Sequence, residues 1–419
     1  MLERWPGLLG MAVFIALAWA CSLDRRRFPW RIVLTGLGLQ FVFAVLILKT
    51  RLGRALFEGA QAAVTKLIGF ANDGAGLVFG PLADADALTR GFGAGNALVL
   101  AITLTATIIL VAALSALLYH WGVLQRVVAA FGWVMRRVMG TSGSESLAAA
   151  ANVFMGQTEA PLVVQPYLKS MTRSELMALM TGGMATIAGG VGAVYASLGV
   201  AAGEANMAGH LLTASVMSAP AALLIAKVML PETAVSVTAG GAPAQVERTT
   251  RNAVDALCTG AGDGLKLSLN VIAMLIAFTA VVALANYLLG LALEPLVGRT
   301  VTFQQILGWV NAPLAWLMGI PARDCMLVGQ FLGERIILNE FVGYLSLTGQ
   351  RGAMEPRSFI IATYALCGFA NFASIAIQIG GIGALEPSRR ADLADLGLRA
   401  MVGGLLASYI TACLAGLLV

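Results

Sequence analysis

Charged residues are scarce in this chain, and histidine is almost absent. Of its 419 residues, 12% are Asp, Glu, Lys or Arg, only two are histidines, and the five cysteines are single and widely spaced. So few charges exclude an ordinary soluble domain. The lack of His and Cys clusters excludes a site for a soft metal ion, and the scattered cysteines predict buried thiols rather than disulfides.

The same scarcity argues against an enzyme. An intramembrane hydrolase would need a nucleophile–base pair or a metal cluster. The two histidines, His120 and His210, each lie near the end of an apolar segment without companion ligands. We interpret them as interfacial residues rather than proton relays, and we expect neither enzymatic activity nor an organic cofactor.

What the chain has in abundance is apolar sequence. Hydrophobic residues make up 58% of it, and several apolar runs reach the ~20 residues that cross a hydrocarbon core of ~30 Å. The sequence therefore predicts an all-α polytopic membrane protein with about eight transmembrane helices. The predicted spans are 8–21, 32–48, 97–119, 176–201, 211–230, 267–291, 359–385 and 396–419.

The net charge of +5 lies mainly between these spans. Arg25, Arg26 and Arg27 follow the first span, whereas no Lys or Arg occurs between Ser174 and Ala226. Basic residues clustered in some loops and absent from others are typical of membrane topology. We therefore expect a lipid bilayer as partner, and no nucleic acid.

Two stretches of the chain repeat each other. The first contains FGWV at 131–134 and leads to Glu159, and the second contains LGWV at 307–310 and leads to Glu340. Each glutamate stands in an apolar region with no charge partner beside it, which is costly in lipid and indicates a functional role. Duplicated units with matching polar residues are how many secondary transporters form a binding site at the middle of the membrane.

Each repeat also contains apolar stretches too short to cross the membrane. The first has arms at 144–154 and 160–169 around a turn with Glu159, and the second has arms at 323–332 and 339–348 around a turn at 333–338. We predict two re-entrant helical hairpins, which enter from opposite faces because an odd number of spans separates them. The amphipathic segments before them, 123–139 and 303–318, are predicted to be interfacial helices.

The resulting organisation has four parts. They are N-terminal spans and scaffold at 1–121, a first inverted repeat with hairpin 1 at 122–230, a linking loop and central span at 231–302, and a second inverted repeat with hairpin 2 at 303–419.

After each hairpin comes a span interrupted by glycines, which free backbone carbonyls. The two halves together offer a set of polar side chains with a donor–acceptor amide that suits a nucleobase edge and carboxylates that suit hydroxyl pairs. Two acidic side chains would repel an anion, so we expect a polyol or nucleoside. The candidate residues are Gln157, Thr158, Glu159, Glu340, Asn371 and Ser374, with Val191 and Phe369 as apolar walls.

Oxygen ligands for a hard monovalent cation occur where hairpin 1 meets its broken span. They are the side chains of Asn152 and Thr186 and the carbonyls of Met155 and Ile187. Unwound carbonyls and helix ends often hold Na⁺ in transporters. A proton carried by Glu159 or Glu340 is the alternative, and a passive channel also remains open.

These residues resemble the concentrative nucleoside transporter family. The resemblance covers residues from about Gly95 to the C-terminus, although Gly190 stands where the family often has Ser, which leaves the base preference open. The matching motifs are Gly156-Gln157-Thr158-Glu159-Ala160-Pro161, Thr186-Ile187-Ala188-Gly189, Asn339-Glu340-Phe341-Val342, Asn371-Phe372-Ala373-Ser374-Ile375 and Gln378-Ile379-Gly380-Gly381.

The resemblance implies a homotrimer in the bacterial inner (plasma) membrane that imports nucleosides down a Na⁺ or H⁺ gradient by alternating access. It assigns Gln157, Thr158, Glu159, Val191 and Phe369 to the base, and Glu340, Asn371 and Ser374 to the ribose. It assigns Asn152, Met155, Thr186 and Ile187 to sodium. Because the oxygen cluster is retained, we favour Na⁺ as the coupling ion over H⁺.

Overall fold

The structure is a computed structural model that describes residues 5–93, 99–204, 206–240, 250–298 and 300–419. In those ranges every regular element is helical. The first half contains α1 (Trp5–Ala20), α2 (Trp30–Lys49), α3 (Arg51–Phe79), α4 (Ala85–Phe92), α5 (Leu100–His120), α6 (Val123–Met139), α7 (Gly143–Asn152), α8 (Ala160–Val163), α9 (Arg173–Ala185), α10 (Gly189–Ala201) and α11 (Met207–Met229). The second contains α12 (Ala253–Val297), α13 (Phe303–Leu317), α14 (Ala322–Ile337), α15 (Glu340–Gly349), α16 (Pro356–Leu366), α17 (Phe372–Leu385) and α18 (Arg390–Leu418).

Each of the eight predicted spans corresponds to one helix or to a broken pair of helices. Among the described residues, six helical stretches are long and apolar enough to cross a membrane, and α1 and α17 are shorter apolar helices. The predicted all-α polytopic fold is confirmed. The start of the span predicted at 97–119 and most of the linking loop, 241–249, lie outside the described residues.

The span predicted at 267–291 is too short. Helix α12 has 45 residues, and its N-cap residue Asn252 accepts a hydrogen bond from the amide of Asp255. Hydropathy identifies only the part of a helix that fits the bilayer, whereas 45 residues of helix extend for about 68 Å. Asp263 and Lys266, in its third and fourth turns, are exposed.

Helices α5 and α12 pack closely through glycines. A Cβ atom at Gly260 would lie 2.7 Å from the carbonyl oxygen of Ala112, and one at Gly264 would lie 2.8 Å from the Cα of Ile109. Small residues permit this approach between apolar helices. The far side of α12 stays exposed, for example at Ile276 and Leu288.

Hairpin 1 consists of α7 and a less regular second arm. Helix α7 begins with a capping box formed by Ser142 and Glu145 and is buried along its whole length. The prediction of one helical arm at 160–169 is only partly right, because α8 ends at Val163 and a 3₁₀ turn follows at Gln165–Tyr167. Pro166 lacks the N–H that a continuous helix would need there.

Hairpin 2 turns later than the sequence predicts. Helix α14 continues to Ile337, so that only Leu338 and Asn339 connect it to α15. Gly333 therefore lies in the helix, where its missing side chain admits Leu307 of α13. A Cβ atom at Gly333 would lie 2.4 Å from the Cβ of Leu307.

The base of hairpin 1 is fixed by a buried ion pair. The Nζ of Lys227 on α11 lies 2.6 Å from Oε2 of Glu145 on α7, and both side chains are almost fully buried. Lys227 also donates to Ser174 and Glu232. Because a buried charge without a partner is costly, these contacts hold hairpin 1 against α9 and α11.

Candidate functional site

Two broken helices cross close to their breaks. Helix α9 ends at Ala185, and Thr186 and Ala188 are extended before α10 begins at Gly189. Helix α16 ends at Leu366. Gly368 adopts a φ of +142°, a backbone conformation that L residues rarely adopt. A Cβ atom at Gly368 would lie 2.6 Å from the carbonyl oxygen of Met184, so glycine is what lets the two breaks meet.

Gln157 at the turn of hairpin 1 reaches the second broken helix. Its side-chain nitrogen donates to the hydroxyl of Ser374 at 3.0 Å, and its oxygen accepts from Nε2 of Gln378 at 3.2 Å. Gln378 also donates to the carbonyl of Met180. Gln157, Ser374 and Gln378 are all buried, so the amide of Gln157 is held in one orientation.

Glu340 continues this network from hairpin 2. Its Oε2 accepts from Nδ2 of Asn371 at 2.9 Å, and its Oε1 accepts from the hydroxyl of Tyr195 at 2.9 Å. The Oδ1 of Asn371 caps α17 by accepting from the amide of Ser374. The predicted residues Gln157, Ser374, Asn371 and Glu340 are thus brought into one hydrogen-bonded series that joins the two repeats.

Arg335 lies next to this series and is fully buried. It lies inside α14 rather than at the turn of hairpin 2. Its guanidinium donates to the carbonyls of Ala365 and Gly368 and to the hydroxyl of Ser408. These carbonyls follow or end α16, where the helix leaves them without internal partners, so Arg335 stabilises the second break.

A cavity of about 630 Å³ lies between hairpin 1, the start of α10 and helices α5 and α12. Glu159, Val191 and Met155 line it, together with Tyr119 and Asp263. Glu159 also accepts from the amide of Gly156, which closes the hairpin turn. The predicted residues thus form two groups, because Gln157, Glu340, Phe369, Asn371 and Ser374 are not among the described residues that line this cavity.

Two further predicted residues lie beside these groups. Thr158 is exposed, and a Cβ atom at Gly381 would lie 3.7 Å from its methyl group. Phe369 lies in the unwound segment between α16 and α17 and is half-buried.

The four predicted cation ligands lie where hairpin 1 meets the first break. Both side-chain polar atoms of Asn152 are buried and have no hydrogen-bond partner among the described residues. Gly182 of α9 approaches it so closely that a Cβ atom there would lie 2.9 Å from Nδ2. The hydroxyl of Thr186 donates to the carbonyl of Gly182, which leaves its lone pairs available. Met155 follows α7, and its amide donates to the carbonyl of Ala151 in the last turn of that helix. Ile187 lies between Thr186 and Ala188, the two extended residues of the first break.

Sequence reasoning missed the roles of Gln378 and Tyr195. Gln378 stands four positions after the predicted site residue Ser374, and Tyr195 stands four positions after Val191, each on a mainly apolar helix. Residues four apart share a helix face. That spacing is the signal that could have identified them.

Comparisons with known proteins identify the family. Family models described as Na⁺ dependent nucleoside transporter N-terminus, Nucleoside recognition and Na⁺ dependent nucleoside transporter C-terminus match residues 9–82, 101–202 and 210–416. The nucleoside permease NupC of Helicobacter pylori is 38% identical over 98% of this chain and 97% of its own. Sodium/nucleoside cotransporter 2 of Rattus norvegicus is 37% identical over 99% of this chain and 63% of its own.

The fold is also similar to solved structures of one transporter, CNTnw. Its inward-facing substrate-bound state matches with a TM-score of 0.90 and 36% identity, covering 99% of this chain and 98% of CNTnw. An outward-facing state of a CNTnw variant matches with a TM-score of 0.93 and 36% identity, covering 100% of this chain and 98% of the CNTnw chain. The chain therefore belongs to the concentrative nucleoside transporter family, a family of membrane transporters rather than enzymes.

Proposed function

We propose that this protein is a sodium-driven symporter that imports nucleosides across the inner membrane of a bacterium by alternating access. The observation that carries the proposal is the hydrogen-bonded series from Gln157 through Ser374 and Asn371 to Glu340. It joins polar groups of opposite repeats around two helix breaks, and such a centre can be opened to one side of the membrane at a time. The inward-facing and outward-facing structures of CNTnw support this cycle.

In the proposed binding mode the two repeats read different parts of the nucleoside. Gln157, Thr158 and Glu159 contact the base, since an amide offers both a donor and an acceptor. Val191 and Phe369 pack against its faces. Glu340, Asn371 and Ser374 bind the ribose, because a carboxylate accepts strongly from hydroxyl donors.

Na⁺ is the proposed coupling ion. Asn152 supports this choice, because neither polar atom of its buried side chain has a hydrogen-bond partner among the described residues. A buried polar group without a partner is costly, and a cation bound to Oδ1 would reduce that cost. The Oδ1 of Asn152, the hydroxyl of Thr186 and the carbonyls of Met155 and Ile187 are hard oxygen donors, which suit Na⁺ rather than a soft metal. Binding there would tie hairpin 1 to the first break and so favour nucleoside binding at Gln157, which is coupling through differential affinity.

Proton coupling is the second candidate. Glu159 lines the cavity and Glu340 is buried, so either carboxyl group could carry a proton. The two candidates differ in one outcome, because only sodium coupling requires the oxygen atoms around Asn152. Replacement of Asn152 would leave a proton-driven transporter active.

The arrangement in the membrane follows from the same proposal. The hairpins enter from opposite faces as re-entrant loops of an inverted repeat, with boundaries at 122–230 and 303–419. The exposed apolar side of α12 is available for contacts between three copies of the chain in a homotrimer. Cross-linking in native membranes would reveal that assembly as a band of three chains.

The function is tested with purified protein reconstituted into liposomes. Radiolabelled uridine should accumulate above its external concentration when a Na⁺ gradient points inward, and should only equilibrate without one. Accumulation driven by a pH gradient alone would show that the coupling ion is H⁺ rather than Na⁺. Equilibration under every gradient would identify a passive channel and reject the symporter.

A further inference from the structure

Tyr195 connects the first repeat to the acidic residue of the second. It lies on α10, is fully buried, and donates from its hydroxyl to Oε1 of Glu340 at 2.9 Å. Glu340 is the first residue of α15 in hairpin 2. A single hydrogen bond between side chains 145 positions apart thus fixes the carboxylate that we propose for ribose binding.

The second oxygen of Glu340 is held by another donor. Nδ2 of Asn371 donates to Oε2 at 2.9 Å. One fixed donor on each oxygen sets the plane of the carboxylate, and each oxygen can still accept a further hydrogen bond. A carboxylate held in this way is already oriented for two neighbouring hydroxyl groups, which reduces the ordering cost of binding them.

The ring of Tyr195 cannot easily move away. It stacks on Tyr344 with centroids 4.3 Å apart and meets Phe341 edge-on at 5.8 Å. Val191 lies one helical turn earlier on the same face of α10 and lines the cavity. Helix α10 therefore presents one residue to the proposed base position and one to the carboxylate.

We infer that Tyr195 is a positioning residue that orients Glu340 and thereby sets how strongly the transporter prefers nucleosides with ribose hydroxyls over those without them. The inference rests on the proposed function. It concerns a residue that would act through Glu340 and need not touch the nucleoside.

The test is Y195F, which removes the hydroxyl and keeps the ring and its stacking. Calorimetric titration of the purified protein measures the Kd of uridine and the Kd of 2′,3′-dideoxyuridine, both in Na⁺. The preference for ribose hydroxyls is the Kd of the dideoxynucleoside divided by the Kd of uridine. We expect the Kd for uridine to rise about tenfold, as for loss of one hydrogen bond to a charged group. The Kd for the dideoxynucleoside should change little, so the ratio should fall.

A residue that served only packing would weaken both ligands by the same factor, and an unchanged ratio in Y195F would overturn the inference. Y344F is the matched control, because the hydroxyl of Tyr344 in the same stacked pair donates to the carbonyl of Thr363 rather than to Glu340. Y344F should keep the wild-type ratio, and an equal fall there would also contradict the assignment.

A double variant gives an independent measurement. In an E340Q background the added Y195F change should alter uridine binding little, because its effect passes through the carboxylate. If Y195F weakens uridine binding by the same factor in E340Q as in the wild-type protein, Tyr195 does not act through Glu340. If the wild-type protein binds no uridine, the proposed function fails; if it binds and only the Y195F ratio is unchanged, this inference alone fails.

Discussion

The side-chain amide of Gln157 donates a 3.0 Å hydrogen bond to the hydroxyl of Ser374, although the two residues lie 217 positions apart. Gln157 stands at the turn of hairpin 1, and Ser374 stands in the first turn of α17. The bond therefore connects the turn of hairpin 1 to the helix that follows the second break.

Neutralising Glu340 should nearly abolish transport. In E340Q the amide keeps the size of the side chain but loses the charge-assisted bonds to Tyr195 and Asn371 and the one proposed to the ribose. We expect uridine uptake to fall by about 10- to 100-fold, the range for loss of hydrogen bonds to a charged group. Uptake into proteoliposomes at equal protein content measures it.

The matched control for this variant is E355Q, which neutralises a half-exposed glutamate close to the base of hairpin 2 that pairs with Arg323. It should retain uptake. Wild-type uptake by E340Q would remove Glu340 from the site.

Replacing Asn152 should weaken the response to sodium. N152A removes one proposed oxygen ligand, so the Na⁺ concentration for half-maximal uptake should rise several-fold, while the order of preference among nucleosides should stay the same. Initial rates of uptake measured against Na⁺ concentration give both quantities.

N311A serves as control here, because Asn311 is also a buried asparagine but donates to the carbonyl of Leu307 in α13. Its sodium dependence should match that of the wild-type protein. The same sodium curve for N152A and wild type would count against this ligand.

Arg335 should be needed for both stability and transport. R335M leaves the carbonyls of Ala365 and Gly368 buried without donors, at a cost of about 1–3 kcal/mol for each. Thermal unfolding in detergent should shift to lower temperature, and uridine affinity should fall because Phe369 and Asn371 follow the loosened break.

R335K keeps the charge and three donors, so it should recover part of the loss. R323M, at an exposed arginine of the same hairpin, should behave like the wild type. A fully stable and active R335M would contradict the role of Arg335 at the break.

Gly368 should not tolerate a side chain. G368A would place a Cβ atom 2.6 Å from the carbonyl oxygen of Met184 in a backbone conformation that L residues rarely adopt. The crossing of the two broken helices must then shift, and uptake should be lost together with thermal stability. G380A is the control, because a Cβ atom at Gly380 meets nothing within 4 Å. Equal stability and uptake of the two variants would show that the close crossing is not required.

The sequence predicts the spans and the candidate residues better than it predicts their contacts. Apolar length identifies eight spans, since the hydrocarbon thickness imposes it. Apolar length cannot distinguish a glycine that makes a turn from one that lets a neighbouring helix pack closely. The sequence therefore predicts a turn at Gly333, whereas Gly333 lies inside α14 and packs against Leu307 of α13. Only the packed structure shows that difference.

Tertiary packing also decides the fate of polar residues in apolar helices. Arg335 is adjacent in sequence to Glu334 and looks like a residue of a polar turn. Its partners Ala365, Gly368 and Ser408 lie on other elements, which no local pattern reveals. The spacing of Tyr195 from Val191 could have marked it as a site residue, but no local pattern reveals its partner Glu340, which lies 145 positions away.

The central claim is that residues of both hairpins hold one nucleoside. An electron cryomicroscopy structure of the protein with uridine and Na⁺ tests it most directly. We predict density for the base beside Gln157 and for the ribose within hydrogen-bonding distance of Glu340. Uridine bound elsewhere, or in contact with only one of these two residues, would contradict the account.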